Sequence, residues 1–545
     1  MKTHHHLAIF FMCVTLFATA QEEGYGTPYI IQNPTPCLSE SDRELIKEII
    51  AERTSNKSAR SVNQVKLEWP IRQAKNYDEY GAIGISNYVD LNDQYPNQLL
   101  DYNCGTRTYD TDNGYNHKGT DIYSWPFNWH KMDHDHMEIV AAAAGEIIYK
   151  ENNQSDKSCS FNSNRWNAVY IQHDDGSIAW YGHLKTGSAT KKAEGERVEI
   201  GEYLGVMGSS GNSTGPHLHF ELYDSQGNLI DPFVGDCNST TNESWWKEQQ
   251  EYTVSGLNRV ATHHSPPEFG CHGSESPNLE VDFSNGVTVY FATYFRDQME
   301  SAVSTHAVYK PDGTIFQEWT TTSPRFYSGS YWYRSFTLPA SGDQGQWRFT
   351  SSYAGDRLST YFYVTNDNTD QVSLSTDYIQ FADYTEGDII TSSFDITNTG
   401  ENGVIVTNIN YPENFKGNWD GIIHPQETKT IHFTFEPALN LPLESFIEIE
   451  TTFSTYSIAV SSEPRVLGSN SILEELFYPN PVKSGVVTLN GIYENIQILS
   501  LSGQIIKRVP KSQSVIEVSH LKNGIYLLQL EKDDVKYTRR LIIAD

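Results

Sequence analysis

The chain has 545 residues, enough for roughly three or four domains. A formal net charge of -30, from 39 Lys+Arg against 69 Asp+Glu, excludes a phosphate-binding face and polybasic docking on anionic lipid. A hydrophobic fraction of 38% with mean hydropathy -0.51 excludes a polytopic membrane protein, and 33 Tyr with 12% aromatics favour a β-rich chain.

At the start, Lys2 precedes an apolar run from Leu7 to Ala18, and Ala18-Thr19-Ala20 gives a small-residue cleavage site. Residues 1–20 therefore read as a signal peptide cut before Gln21, and no later stretch reads as a membrane span. Residues 21–65 read as a leader or pro-segment, or as an N-terminal helix packed on the next domain. There Ser41 and Glu44 suggest a capping box, and Leu45, Ile46, Ile49 and Ile50 an apolar helical stripe. Once Cys13 leaves with the signal, Cys37, Cys104, Cys159, Cys237 and Cys271 remain. An odd number leaves at least one thiol free or paired outside the chain, and the pairing is open.

Residues 66–250 carry short β-type runs, such as Ala168-Val169-Tyr170-Ile171 and Ile178-Ala179-Trp180-Tyr181, between Gly and Asp turns. Alternating segments over 275–366 and 370–465 predict two β-sandwiches. Tyr327, Tyr331, Trp332 and Tyr333 read as core and spacer residues rather than a glycan platform. A joint at 466–471 leads to a last unit, 472–545.

Histidine placement carries the chemistry. His117 and Asp121 stand four apart, His183 follows Trp180-Tyr181-Gly182, and His217-Leu218-His219 follows a Gly-rich approach. Residues two apart on a strand share a face, so His217 and His219 point together. Zinc takes imidazole nitrogen and carboxylate oxygen, and a catalytic site uses three protein ligands plus water. No H-E-x-x-H, P-loop or C-x-x-C occurs. His130, His134 and His136 read as a solvated, substrate-facing loop, a second metal being the alternative; His173 reads as a hydrogen-bonded core residue.

On these motifs, residues about 95–235 resemble the lysostaphin-type (β-lytic) zinc endopeptidase family, which cleaves peptides in bacterial cell walls. Asn167 to Gly176 and Asp231-Pro232 add to the likeness. The resemblance implies one zinc held by His117, Asp121 and His219, with His183 and His217 as the paired active-site histidines, the general base among them left open. It implies a peptidoglycan substrate, with an elastin-like Gly-rich protein or a catalytically inactive wall-binding role as alternatives.

Tyr478-Pro479-Asn480-Pro481, Leu499 to Gln504, Leu521 to Tyr526 and Tyr537 to Ile543 resemble the C-terminal sorting domain of the type IX secretion system of Bacteroidetes. That implies passage through the outer membrane by this machinery, then release or surface attachment. The expected fold is mainly β: a short N-terminal helix, an antiparallel β-sheet zinc peptidase domain, two immunoglobulin-like β-sandwiches and a small C-terminal β-sandwich. The expected state is a monomer with no nucleic-acid partner and no transmembrane segment. Acidic side chains outnumber basic ones by ten over 101–236 and by sixteen over 272–465, whereas 471–545 is near neutral, so long-range attraction does not bring this protein to an anionic wall.

Overall fold

The structure, a computed structural model, describes residues 22–27, 36–54, 63–365, 370–381, 384, 388–437, 445–461, 477–478, 480–483, 485–489, 491–493, 495–500, 505–511, 513–532 and 535–543. The expected signal peptide and the joint at 466–471 lie outside these. Among the described residues there are two helices and thirty-six strands, so the fold is mainly β. None of the helices is long and apolar enough to cross a membrane. Residues 465–545 form one compact unit and those before them another.

The N-terminal segment contributes strand β1 (Glu22–Thr27) and helix α1 (Glu40–Thr54). The helix begins at Glu40, and its cap lies two residues before the expected one. Ser39 Oγ accepts the Asp42 backbone N–H at 3.1 Å and donates to Asp42 Oδ2 at 2.6 Å, so Ser39 and Asp42 cap it instead of Ser41 and Glu44. Its buried face is Arg43, Ile46 and Ile50, while Leu45 lies 41% exposed. The expected apolar stripe is thus rotated, because a charged residue takes one buried position.

The next elements are β2 (Ile71–Gln73), β3 (Ile83–Asn87), β4 (Thr120–Ser124), α2 (Asn128–Asp133), β5 (Met137–Val140), β6 (Gly145–Glu151), β7 (Ala168–His173), β8 (Ile178–Gly182), β9 (Arg197–Val198), β10 (Tyr203–Val206), β11 (His217–Tyr223) and β12 (Leu229–Ile230). Antiparallel pairing orders eight of these strands β3–β4–β11–β8–β7–β6–β9, with β12 on β11. A smaller sheet, β10–β5–β2, supplies Met137, Ile139 and Leu204 to the same core as Ile147, Val169, Ile171, Leu218 and Phe220. Leu218 and Phe220 turn into this core, which sends their alternate neighbours His217, His219 and Glu221 to the other face.

The first sandwich begins earlier than expected. Strand β13 (Gly256–His263) pairs with β15 (Thr288–Gln298), so the sheet starts upstream of residue 275. β15 in turn pairs with β18 (Tyr327–Thr337), and β1 closes that edge antiparallel to β18. The opposing sheet packs Trp347, Phe349 and Phe362 against Val289 and Phe291. Tyr327, Tyr331 and Tyr333 are buried, as expected of core residues. A second sandwich pairs Ile390–Asn398 with Thr428–Phe435 in one sheet and Ser445–Thr451 with Thr455–Ser461 in the other. The 465–545 unit has its own core, including Val487, Ile496, Ile498, Leu528, Leu530 and Leu541.

The middle sandwiches are packed against the peptidase region rather than strung out as spacers. Trp125 and Phe127 pack with Tyr294 and Tyr331 of the first sandwich, and Arg107 pairs with Asp297 at 2.6 Å. Asn76 Nδ2 donates to the backbone oxygens of Asn418 and His432 in the second. Two disulfides occur among the described residues, Cys104–Cys237 within the peptidase region and Cys159–Cys271. The second ties a peptidase loop to the connection between β13 and β15 of the first sandwich. Cys37 is the free cysteine among the described residues, and it is buried.

Candidate metal centre

Three neighbouring strands build the site. His219 on β11 stands opposite Asp121 on β4 and opposite Gly182 on β8, and His183 follows Gly182 directly. His117 lies in the approach to β4. Gly119 lets that approach pass close to β11, since a Cβ there would sit 2.7 Å from His219 Nε2 and from the Phe220 oxygen. His183 has φ +64, a left-handed conformation uncommon for a non-glycine residue.

The structure brings all five expected residues together. His117 Nε2 lies 3.3 Å from His219 Nδ1 and 3.1 Å from Asp121 Oδ2; His219 Nδ1 lies 2.7 Å from Asp121 Oδ1. His117 and His219 are fully buried and Asp121 is 1% exposed. The far nitrogens are occupied: His117 Nδ1 donates to the Tyr88 oxygen at 2.7 Å, and His219 Nε2 to Glu221 Oε1 at 2.9 Å. Such outer acceptors fix the tautomers, leaving the inner nitrogens as donors of lone pairs to one point. Asn87 Nδ2 donates to Asp121 Oδ2 at 3.0 Å and steadies the carboxylate.

His183 and His217 stand beside this trio with ring centroids 4.4 Å apart. His183 Nδ1 donates to the Ser210 oxygen at 2.6 Å and His217 Nδ1 to the Gly215 oxygen at 2.8 Å, so each keeps Nε2 as its acceptor. His183 Nε2 is buried without a hydrogen-bond partner, and His217 Nε2 lies 3.7 Å from Asp121 Oδ1.

Electrostatics favour positive charge at the trio. Burial pushes the Asp121 carboxyl up, but His117 and His219 outweigh it and hold the group well below the usual carboxylate range. Burial lowers His117, yet Asp121 wins and raises it to about 9. His217 is pushed down to about 4, by burial first and His183 second. Two imidazoles and a carboxylate, with a fourth position open to another donor, fit a zinc ion.

Sequence reasoning passed over three participants. Glu221 continues the His217, His219 alternation and was legible at period two. Arg43 of α1 reaches it with two bonds, Nη1 to Oε2 at 2.7 Å and Nη2 to Oε1 at 2.8 Å, both side chains fully buried. Cys37 offers its sulfur among His117 and His219, with the three ligand atoms within 4.8 Å of one another. No local motif marks Arg43 or Cys37. The other expectations divide: His173 is buried and donates from Nδ1 to the Ala144 oxygen at 3.1 Å, as read. The His130–His136 stretch is no solvated loop, because Trp129, Lys131, Met132 and His136 are all buried.

An antiparallel sheet here presents two imidazoles and a carboxylate to one point, with two further imidazoles beside them, an arrangement that could hold a metal ion. Residues 115–232, which span every one of these five residues, match the model of Peptidase family M23, so the chain carries an M23 peptidase domain. Residues 476–544 match the secretion system C-terminal sorting domain, so it carries that domain as well. One relative is the DD-carboxypeptidase/endopeptidase Mpg of Neisseria meningitidis serogroup B, 53% identical over 55 residues, 10% of this chain and 12% of that protein. Another is the peptidoglycan DD-endopeptidase ShyC of Vibrio cholerae, 36% identical over 81 residues, 15% of this chain and 18% of that protein. This chain therefore spans under a fifth of either relative's length. Among solved structures, the catalytic domain of lysostaphin from Staphylococcus simulans aligns at 21% identity and TM-score 0.16, over 32% of this chain and 94% of that one.

Proposed function

We propose that this protein is a secreted zinc endopeptidase that hydrolyses peptide bonds of peptidoglycan. The observation that carries the reading is the convergence of His117, Asp121 and His219 with the acceptor nitrogens of His183 and His217 in one buried centre. The M23 match and the printed activities of Mpg and ShyC support the bond and substrate class.

His117 Nε2, Asp121 and His219 Nδ1 would hold the metal. A zinc bound there supplies a Lewis acid for the scissile carbonyl and an acidified water. Nε2 of one imidazole of the His183–His217 pair takes the proton of the attacking water and returns it to the leaving amine. The other, as an N–H donor, steadies the oxyanion that develops on the carbonyl oxygen. Glu221 keeps His219 oriented, and the Tyr88 oxygen does so for His117. The sorting domain supports export by the type IX machinery and surface attachment or release.

Mass spectrometry of fragments released from purified peptidoglycan and from elastin tests the reading. Cleaved stem or cross-link peptides with intact elastin are expected. Release from elastin alone would transfer the substrate to Gly-rich proteins, and release from neither by processed, zinc-loaded protein would overturn the enzyme reading.

A further inference from the structure

A second cluster of metal-type donors lies away from the centre just described. His130 sits in α2, His134 at its C-terminus and His136 just beyond, where Asp135 at φ +53 turns the chain back. Asp420 comes from the second sandwich. His130 Nε2 lies 2.9 Å from Asp420 Oδ2 and His136 Nε2 2.6 Å from Asp420 Oδ1. His134 Nδ1 donates to the His130 oxygen at 2.9 Å, which leaves Nε2 as its acceptor. One ligand atom from each of the four residues lies within 4.8 Å of the others.

The surroundings hold these donors in place. Tyr77 donates its hydroxyl to Asp420 Oδ1 at 2.9 Å, and its ring packs on His136 with centroids 3.6 Å apart. Asn418 donates to the His134 oxygen. Two imidazoles meet one carboxylate and a third stands within 4.8 Å of them; three imidazole nitrogens and a carboxylate oxygen are donors that zinc takes, with an outer hydroxyl on the carboxylate. We propose that His130, His134, His136 and Asp420 bind a structural zinc that pins the peptidase domain to the second sandwich.

Counting zinc by plasma mass spectrometry on the zinc-loaded full chain tests this. His134→Ala is expected to lose one equivalent relative to wild type, His219→Ala to lose a different one, and the double variant both. Asp420→Asn keeps an acceptor for Tyr77 but gives up the carboxylate, and is expected to behave as His134→Ala. Unchanged zinc in folded His134→Ala and Asp420→Asn overturns the site. If both fail to fold, the wild type decides: two equivalents support the site and one overturns it.

A separate observation carries a second inference, which rests on reading His117, Asp121 and His219 as metal ligands. Cys37 lies immediately before α1, buried, with Sγ 2.8 Å from Tyr109 Oη and within 4.8 Å of the ligand nitrogens of His117 and His219. Asn212 Nδ2 donates to the Pro36 oxygen at 2.5 Å, and Arg43 locks α1 onto Glu221, the partner of His219. The buried, unpartnered His183 Nε2 belongs to the same pocket. We infer that the Cys37 thiolate is the fourth ligand of that metal in the unprocessed chain. The thiol gives its proton to solvent, its sulfur takes the position a water would hold, and the chain is latent until the leader is displaced.

Cobalt substitution gives a readout other than activity. The cobalt-loaded full chain is expected to show a sulfur-to-cobalt charge-transfer band in the near ultraviolet that Cys37→Ser lacks, with the same cobalt content in both. Equal spectra overturn the inference while leaving the ligand trio standing. Cobalt content unaffected by His219→Ala would instead remove the trio.

Discussion

His183 stands beside His117, Asp121 and His219, the proposed ligands, without joining them. Its Nδ1 is committed to the Ser210 oxygen, its backbone is in a left-handed conformation, and its Nε2 is the buried atom left without a partner. His183→Ala should therefore keep its zinc and lose about 10²–10⁴-fold in turnover, the range for removing a positioned acid or base. Zinc content and kcat on the processed protein check this together, and near-normal turnover would remove His183 from the chemistry. Asp231 gives a pH prediction. It is fully buried; Oδ1 accepts the Phe233 N–H, whereas Oδ2 has no partner. Burial above all pushes its carboxyl up to about 8 from an ordinary value of 3.8. Between those values the folded state holds a proton that the unfolded state has released, so its contribution to stability falls as pH rises through that window. Asp231→Asn should flatten that fall, gaining on wild type from pH 5 to pH 9 in denaturant midpoints. A constant difference across the range would show that Asp231 does not titrate there. At this scale the sequence was readable wherever side chains follow a strand or a short spacing, as with His117, Asp121, His217 and His219. It was silent on Cys37 and Arg43, whose roles come from tertiary contact.

At the level of elements, β11 and α1 differ in how far they could be foreseen. Alternation in β11 fixes two faces, so placing His217 and His219 on one side followed from period two. Helix α1 was foreseen as a helix, but not its cap or its buried face. The cap rests on Ser39 and Asp42, and the buried face on Arg43, a residue whose charge normally keeps it at the surface and which is buried here because Glu221 and Tyr223 meet it. Burial would raise the Glu221 carboxyl, but Arg43 overrides it and holds the group well below the usual carboxylate range. Removing one partner of such a pair leaves a buried charge uncompensated. Arg43→Ala should cost the unprocessed chain about 3–5 kcal/mol. Thermal denaturation measures the loss, and limited proteolysis should cut earliest near 36–54. A change under about 1 kcal/mol, the worth of a surface pair, would mean that α1 is not held by this contact.

On the scale of the whole molecule, the sandwiches were legible as strand-rich units, but their attachment to the peptidase domain was not. Attachment is made by residues with no motif: Trp125 and Phe127 against Tyr294 and Tyr331, Arg107 with Asp297, and the Cys159–Cys271 bond. That bond spans a sequence separation of 112 residues and crosses from a peptidase loop to the connection between β13 and β15 of the first sandwich. Closing so long a loop limits the unfolded chain, and losing a bond of this kind costs about 2–5 kcal/mol. Residues 465–545 have their own core and form their own compact unit, so their unfolding serves as an internal reference. In calorimetry the Cys159→Ser, Cys271→Ser double variant should therefore lower the transition of the larger unit and leave that of the sorting domain in place. Because neither sulfur belongs to either proposed zinc shell, zinc content should be unchanged. A fall of both transitions by the same amount would show that the two units unfold as one, and an unmoved larger transition would show that the non-covalent interface holds the first sandwich without the bond.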